Sequence, residues 1–374
     1  MELEHGKDSL SDYSRGVFTE LDSIDLNALL ALIEAAWAQA YQDEVRPNID
    51  EAFLRKITAS SGWFGVLVYA SDDTPVGVEI AFPRRLVLRE RYFNVFYVTA
   101  FSVAPEHRRR GVGAWVLDGI NREAFERREA NLLFSTFDRS QAGSDTVQSA
   151  FDRTDYTVLR FHETPLWVLR LNDVSVLQGA LADITAPQML AVRSDHGTSD
   201  NSGAGIRVRA VDADFASHDF PSIAELDATI RNAHQASFSL DASFVTQYLH
   251  KRDTRYGESL WFSFDDGAWC WINYGVNALA FNYELIGASA QLQTLHHEGC
   301  TNTQLSACIG GVVRRCKDRG YLAFAAFNQL AIDAQMFPQL GFQQNGQFNF
   351  SVRGPSANVN EFVDLNGPHF LDFL

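Results

Sequence analysis

Cysteine is scarce and one-sided in this chain: four in 374 residues, all in the second half (Cys270, Cys300, Cys308, Cys316). At this length they make no disulfide framework and read as reduced thiols of a cytoplasmic protein. Long hydrophobic runs are missing too. No uncharged apolar stretch reaches the roughly 18 residues that a membrane span requires. The opening Met1-Glu2-Leu3-Glu4-His5-Gly6-Lys7-Asp8 has neither the basic start nor the apolar stretch of a secretory leader. Positive charge is in deficit, 31 Lys and Arg against 47 Asp and Glu, a net charge of -16. That excludes general nucleic-acid or anionic-membrane partners, which need a basic surface. It suits a cationic substrate, or solubility alone. Metal spacings are absent as well: His296-His297-Glu298-Gly299-Cys300, with Cys308 and Cys316 in a helical stretch, fits no usual zinc pattern, so no metal is expected.

What the chain has in quantity is aromatic side chains, 28 Phe and 7 Trp, material for packed cores or an apolar pocket. Residues 1 to 16 read as polar and frayed. Asn27 to Ala40 carries apolar residues on a helical period, with Asp25 or Asn27 as cap, and a second helix fits Ile49 to Ser60. The period then changes. Trp63 to Ala70 and Val76 to Phe82 form a hairpin about Ser71-Asp72-Asp73-Thr74-Pro75, and Asn94 to Val103 is a further strand. Helix is expected over Gly113 to Glu129, strand over Asn131 to Phe137, a short helix over 144 to 153, and a hairpin-like pair over Tyr156 to Leu171. The polar run Ser194 to Gly203 marks a linker. After it the same order starts again: strand 206–211, helices 221–234 and 241–250, a hairpin 259–275, strand 290–295, helix 303–319, strand 321–327 and a short helix 331–340. The expectation is an α/β (α+β) protein of two domains, residues 17–171 and 205–374 joined by a linker at 172–204, each a mixed central sheet flanked by helices.

One segment carries chemistry. Phe101-Ser102-Val103-Ala104-Pro105-Glu106-His107-Arg108-Arg109-Arg110-Gly111-Val112-Gly113-Ala114 takes a strand end through a basic, Gly-containing turn into a helix. A helix N-terminus presents unpaired backbone N–H groups and partial positive charge, so a pyrophosphate is a natural guest. Gly111 and Gly113 allow close backbone approach.

These residues resemble motif A of the GNAT N-acetyltransferase superfamily: Arg108, Gly111 and Gly113 meet its Arg/Gln-x-x-Gly-x-Gly/Ala signature, and Val103-x-Pro105 precedes them at the usual spacing. The resemblance covers most of residues 17–171. It implies that Phe101, Ser102 and Val103 flank the pantetheine arm of acetyl-CoA or another acyl-CoA, and that Arg108, Arg109, Arg110, Gly111, Val112, Gly113 and Ala114 surround its pyrophosphate. It also implies transfer of the acyl group to the primary amine of a small molecule. That reaction needs a held thioester, a deprotonated amine and a proton for the departing thiolate.

The family often places a Glu or His on the strand four or six residues before the Val; here Thr99 and Tyr97 stand there. Strict alternation puts both on one face with Phe101, where a water relay through them would serve as base. The family's usual acid, a Tyr in the short helix, has become Phe151, and the following Gly has become Asp155. Glu79 and Asp138 read as carboxylates at the central strands that bind an amine or face solvent. In the second domain Phe337 again replaces the Tyr, and Thr303 and Leu305 stand where the turn glycines belong, so this copy reads as degenerate. Two other readings stay open: a coenzyme A-binding protein of this fold with little transferase activity, or different acyl-thioester chemistry on the same scaffold.

Overall fold

The computed structural model describes residues 3–5, 10–41, 46–59, 61–138, 156–172, 206–210, 221–241, 257–281, 284–327, 333, 335–362 and 369–370. Two compact units divide the chain. Unit 1 is Met1–Thr164 with Asp241–Gln247 and Gln347–Asn366; unit 2 is Pro165–Leu240 with Tyr248–Gly346 and Gly367–Leu374. These units are not the contiguous stretches 17–171 and 205–374. Strand pairing between distant segments decides membership, and no local signal in a sequence reports it. The expected linker at 172–204 and the expected helices at 144–153 and 241–250 lie almost wholly outside the described residues.

Unit 1 begins with β1 (Leu3–His5) paired to β2 (Tyr13–Phe18). Leu3–His5 and Tyr13–Phe18 are therefore parts of the sheet, not frayed. Helix α1 (Leu26–Ala40) is capped by Asp25, whose carboxylate accepts from Ala28 N–H at 3.0 Å. It lays Leu29, Leu32, Ile33 and Ala36 on one face of the sheet. After β3 (Arg46–Asn48), helix α2 (Glu51–Ile57) is capped in the same way by Asp50. Strands β4 (Phe64–Ala70), β5 (Pro75–Leu88) and β6 (Arg91–Val103) form an antiparallel meander. The β5–β6 hairpin runs past the expected Phe82 to a two-residue turn at Arg89 and Glu90, both with positive φ, as a twisted hairpin requires.

Helix α3 (Val112–Asn121) crosses to the other face and continues as a π-helical turn, Arg122–Arg127, in place of one helix to Glu129. Ile120 and Ala124 pack there with Phe64, Val66, Ala81, Phe96, Val98 and Leu133. Glu123 is buried between Arg127 and Arg128. Strand β7 (Leu132–Asp138) follows β6 in parallel. The strand that flanks β7 on its other side comes from the far end of the chain: β15 (Gln343–Gly354) pairs antiparallel over Phe348–Arg353, with Ser135 and Ser351 hydroxyls 2.8 Å apart.

The expected hairpin at 156–171 is instead one strand, β8 (Thr157–Arg170), whose last residues belong to unit 2 and pair with β14 (Ala323–Phe327). Unit 2 also holds β9 (Arg207–Ala210), α4 (Ile223–Ala233), β10 (Ala236–Phe238), β11 (Gly257–Ser263), β12 (Trp269–Phe281), β13 (Glu284–Glu298) and α5 (Asn302–Asp318). A short α6 (Met336–Gln339) and β16 (His369–Phe370) complete it. Its sheet order is β8-β14-β13-β12-β11-β9. Apolar residues of α5, among them Leu305, Ile309 and Val312, pack with Phe262, Ile272 and Leu292. Among the described residues no helix is long and apolar enough to cross a membrane.

Candidate functional site

Strand β6 carries the site, and its geometry turns on one extra residue. Ile80 pairs with Thr99 and Val78 with Ser102, so Glu79 alone stands opposite two residues, Ala100 and Phe101. Ala100 absorbs the irregularity at φ 59°. A bulge of this kind reverses side-chain parity downstream. Before it, Phe96 and Val98 pack on the α3 face. After it, Phe101 and Val103 occupy that face: a Cβ at Gly113 would lie 3.3 Å from the Phe101 ring and 3.4 Å from Val103. Tyr97 and Thr99 face the α1 side, where Ser102 also sits and accepts from Trp37 Nε1–H at 3.1 Å. Phe101 therefore does not share a face with Tyr97 and Thr99, contrary to strict alternation.

The bulge coincides with a parting of strands. β6 and β7 pair only over Val95–Tyr97 against Leu132–Phe134. Beyond Tyr97 no strand among the described residues pairs with β6 on that side, which leaves backbone groups that suit an extended polar partner. Tyr97 marks the fork. It is buried, stacked on Phe82 at 5.2 Å, with its hydroxyl 3.0 Å from Thr136 Oγ1 on β7. Thr99 is half-buried beside it.

The open edge leads to the turn before α3. Arg109 and Gly111 both take left-handed conformations, φ 62° and 88°. The first helix amide with an internal partner is that of Trp115, bonded to Gly111 C=O at 3.0 Å. Among the described residues no side chain caps the end, so the amides of Val112, Gly113 and Ala114 point outward, with Arg109 and Arg110 exposed beside them. The turn is anchored from behind. Tyr13 OH meets His107 Nδ1 at 3.0 Å, and Arg15 donates to Trp115 C=O at 2.7 Å.

Arg108, expected at the pyrophosphate, spends its guanidinium on the protein. It donates to Val103 C=O at 3.2 Å, Gln39 Oε1 at 2.7 Å and Ala36 C=O at 2.9 Å, tying the turn to α1. Replacing Arg108 by Met is expected to cost about 2 kcal/mol of stability while leaving most coenzyme A affinity, checked by melting and calorimetry on the same protein.

Glu79 is not at the solvent. It is 3% exposed, its Oε2 has no hydrogen-bond partner among the described residues, and burial lifts its carboxyl to about 7 against the pull of the Arg353 guanidinium. Arg353, also 3% exposed, sits on β15 opposite Leu133. The signal in the sequence was a lone Glu inside Val76-Gly77-Val78-Glu79-Ile80-Ala81-Phe82, a run otherwise apolar enough for a strand buried on both faces. Phe151 and Asp155 lie outside the described residues, as does the side chain of Asp138.

Unit 2 repeats the frame without the cradle. A register shift leaves Gln293 as the extra residue of β13, at the place of the β6 bulge. The N-terminus of α5, however, is closed by a capping box, Thr301 with Gln304, and Gln304 donates to the Asp266 carboxylate at 2.9 Å. A capped end beside an acidic group repels phosphate. Cys300 donates its S–H to Trp269 C=O, and no cluster of three or more His, Cys, Asp or Glu placed to hold a metal occurs among the described residues.

Residues 21–135 match the family model described as an acetyltransferase (GNAT) domain. No curated protein matches in sequence. Among solved structures, N-myristoyltransferase of Saccharomyces cerevisiae with bound myristoyl-CoA is similar over 92% of this chain and 79% of its own, at a TM-score of 0.71 and 14% identity. A probable N-acyltransferase of Enterococcus faecalis is similar over 94% and 75%, at 0.51 and 11%. A GCN5-related N-acetyltransferase of Anabaena variabilis is similar over 90% and 72%, at 0.50 and 11%. These likenesses establish a shared fold.

Proposed function

We propose that this chain, whose residues 21–135 carry a GNAT acetyltransferase domain on a tandem GNAT fold, is an acyl-CoA-dependent N-acyltransferase working from unit 1. One observation carries the reading: the open edge of β6 past Tyr97 runs into the uncapped first turn of α3. The pantetheine amides would complete the ladder that β7 abandons, flanked by Phe101, Ser102 and Val103. The pyrophosphate would rest on the amides of Gly111, Val112, Gly113 and Ala114, beside Arg109 and Arg110. Only the first unit offers this, since Thr301 and Gln304 close the second.

The thioester would then lie at the bulge, where the extra residue leaves backbone groups unpaired to meet the charge that develops on the carbonyl oxygen. Attack needs a neutral amine. Tyr and Thr do not act as bases near neutrality in their ordinary range, so Tyr97, held by Thr136, and Thr99 would orient a water that takes the proton. Acetyl is the simplest donor; the aromatic core and the likeness to an enzyme bound to myristoyl-CoA favour testing longer acyl chains. The acceptor would be a primary amine of a small molecule.

Thioester turnover with acyl-CoAs of increasing length against a panel of amines, an N-terminal peptide amine included, tests the reading. Thiol release that depends on an amine supports it. Tight calorimetric binding without turnover would identify a coenzyme A-binding protein instead, and acyl breakdown without acceptor a different thioester chemistry.

A further inference from the structure

We propose that Glu79 is the proton donor to the thiolate that leaves the acyl-CoA. The proposal rests on the acyl-transfer reading above and adds to it the missing acid.

Position comes first. Gly77, Glu79 and Ala81 alternate on the α3 face of β5: a Cβ at Gly77 would press on Val112 and Val116, and Ala81 lies in the core with Ile120. Glu79 pairs with Val66 on one side and stands opposite the bulge, Ala100 and Phe101, on the other. It is thus level with the place where the thioester would sit. It also shares its face with Phe101, Val103 and the first turn of α3, the side from which the cofactor arm arrives. Tyr97 and Thr99 hold the opposite face. The division suits the reaction: water and acceptor on the α1 side, leaving sulfur on the α3 side.

Protonation follows from surroundings. A carboxyl removed from water, with one oxygen unpartnered among the described residues, favours its neutral form. No titratable group faces it from β4 or β6, where Val66, Ala100 and Phe101 are its neighbours. On α3, Asp118 is paired with Arg15 at 2.8 Å. Among the described residues, Arg353 from β15 is the cation that acts on it, and it holds the carboxyl near 7 instead of higher. Both proton states are then accessible at neutral pH, as a donor that must be recharged requires.

The step balances. The amine nitrogen bonds to the carbonyl carbon and loses a proton to the water held at Tyr97 and Thr99. The tetrahedral intermediate collapses, the C–S bond breaks with its electron pair on sulfur, and the Glu79 carboxyl protonates that sulfur to give free thiol. The Glu79 carboxylate is recharged by the proton released from the amine, by way of solvent, so amide and thiol are the only products.

The test is Glu79→Gln, which keeps shape and neutrality but has no acidic proton. Turnover is measured with acyl-CoA and with the acyl thioester of an acidic aromatic thiol, whose departure needs no acid. The expected result is a loss of about 100-fold in kcat with acyl-CoA, an unchanged KM for acyl-CoA, and almost no loss with the acidic thiol. Equal losses on both thioesters, or none on either, overturn the proposal.

A second measurement is independent of turnover. The folded-state pKa lies above the ordinary value of 4.5, so the carboxyl favours folding at low pH, and that advantage fades as pH rises through 7. Wild type should therefore lose melting temperature relative to Glu79→Gln between pH 5 and pH 8, and a constant difference overturns the buried, protonated carboxyl. If wild type itself binds no acyl-CoA by calorimetry, the acyl-transfer reading falls, and the proposal with it, even where the melting difference stands.

Discussion

Gly111→Val is expected to remove acyl-CoA binding, a loss of at least about 100-fold in calorimetric affinity, while the protein still folds. Two effects combine. Gly111 holds φ 88° at the N-cap of α3, and a β-branched residue forced into that region costs about 1–3 kcal/mol. The turn can relax only by rotating the amides that follow, and those amides form the cradle. The new side chain also projects into the concavity they surround. Packing among the described residues does not oppose it: an added Cβ would meet Leu10 Cδ2 at 3.7 Å, an ordinary contact. Melting should drop by only a few degrees for a unit of this size. Unchanged affinity in a folded variant would remove the phosphate from this turn and take the site with it.

Why the turn was legible in the sequence, and its surroundings less so, comes down to range. Gly111 and Gly113 announce a special backbone by their residue type, and Val103 to Pro105 announces the end of a strand. The β4–β5 and β11–β12 hairpins, α1 with its Asp25 cap and α5 followed from local periodicity, which one segment contains in full; the pair expected over 156–171 did not, being the single strand β8. Ala100 announces nothing: alanine has no preference for φ 59°, so the bulge was invisible and Phe101 was assigned to the wrong face. Arg108 matched a signature, yet its acceptors Ala36 and Gln39 lie some seventy residues earlier. Such a partner is fixed by how α1 crosses the sheet. The same holds for β15, which joins β7 across about two hundred residues. Glu79 was readable only as an oddity in an apolar run, because its burial depends on α3 above it.

Arg353→Met is expected to destabilise the protein by about 3–5 kcal/mol at pH 8, measured by urea denaturation, and Glu79→Gln added to it should restore much of the loss. With Arg353 in place, the buried Glu79 carboxyl faces an opposing charge. Without it the carboxylate is buried uncompensated, and its pKa climbs beyond 7 until protonation becomes the cheaper state. At pH 5 that proton is available, so the single variant should lose less there than at pH 8; the linkage runs in the same direction as for Glu79 alone. In the double variant neither charge remains, and a neutral amide beside a thioether carries only the loss of packing. Recovery would tie β15, through one guanidinium, to the carboxyl beneath the bulge. Strictly additive losses would place the work of Arg353 with its other neighbours on β7 and β15, and Glu79 would then owe its state to burial alone.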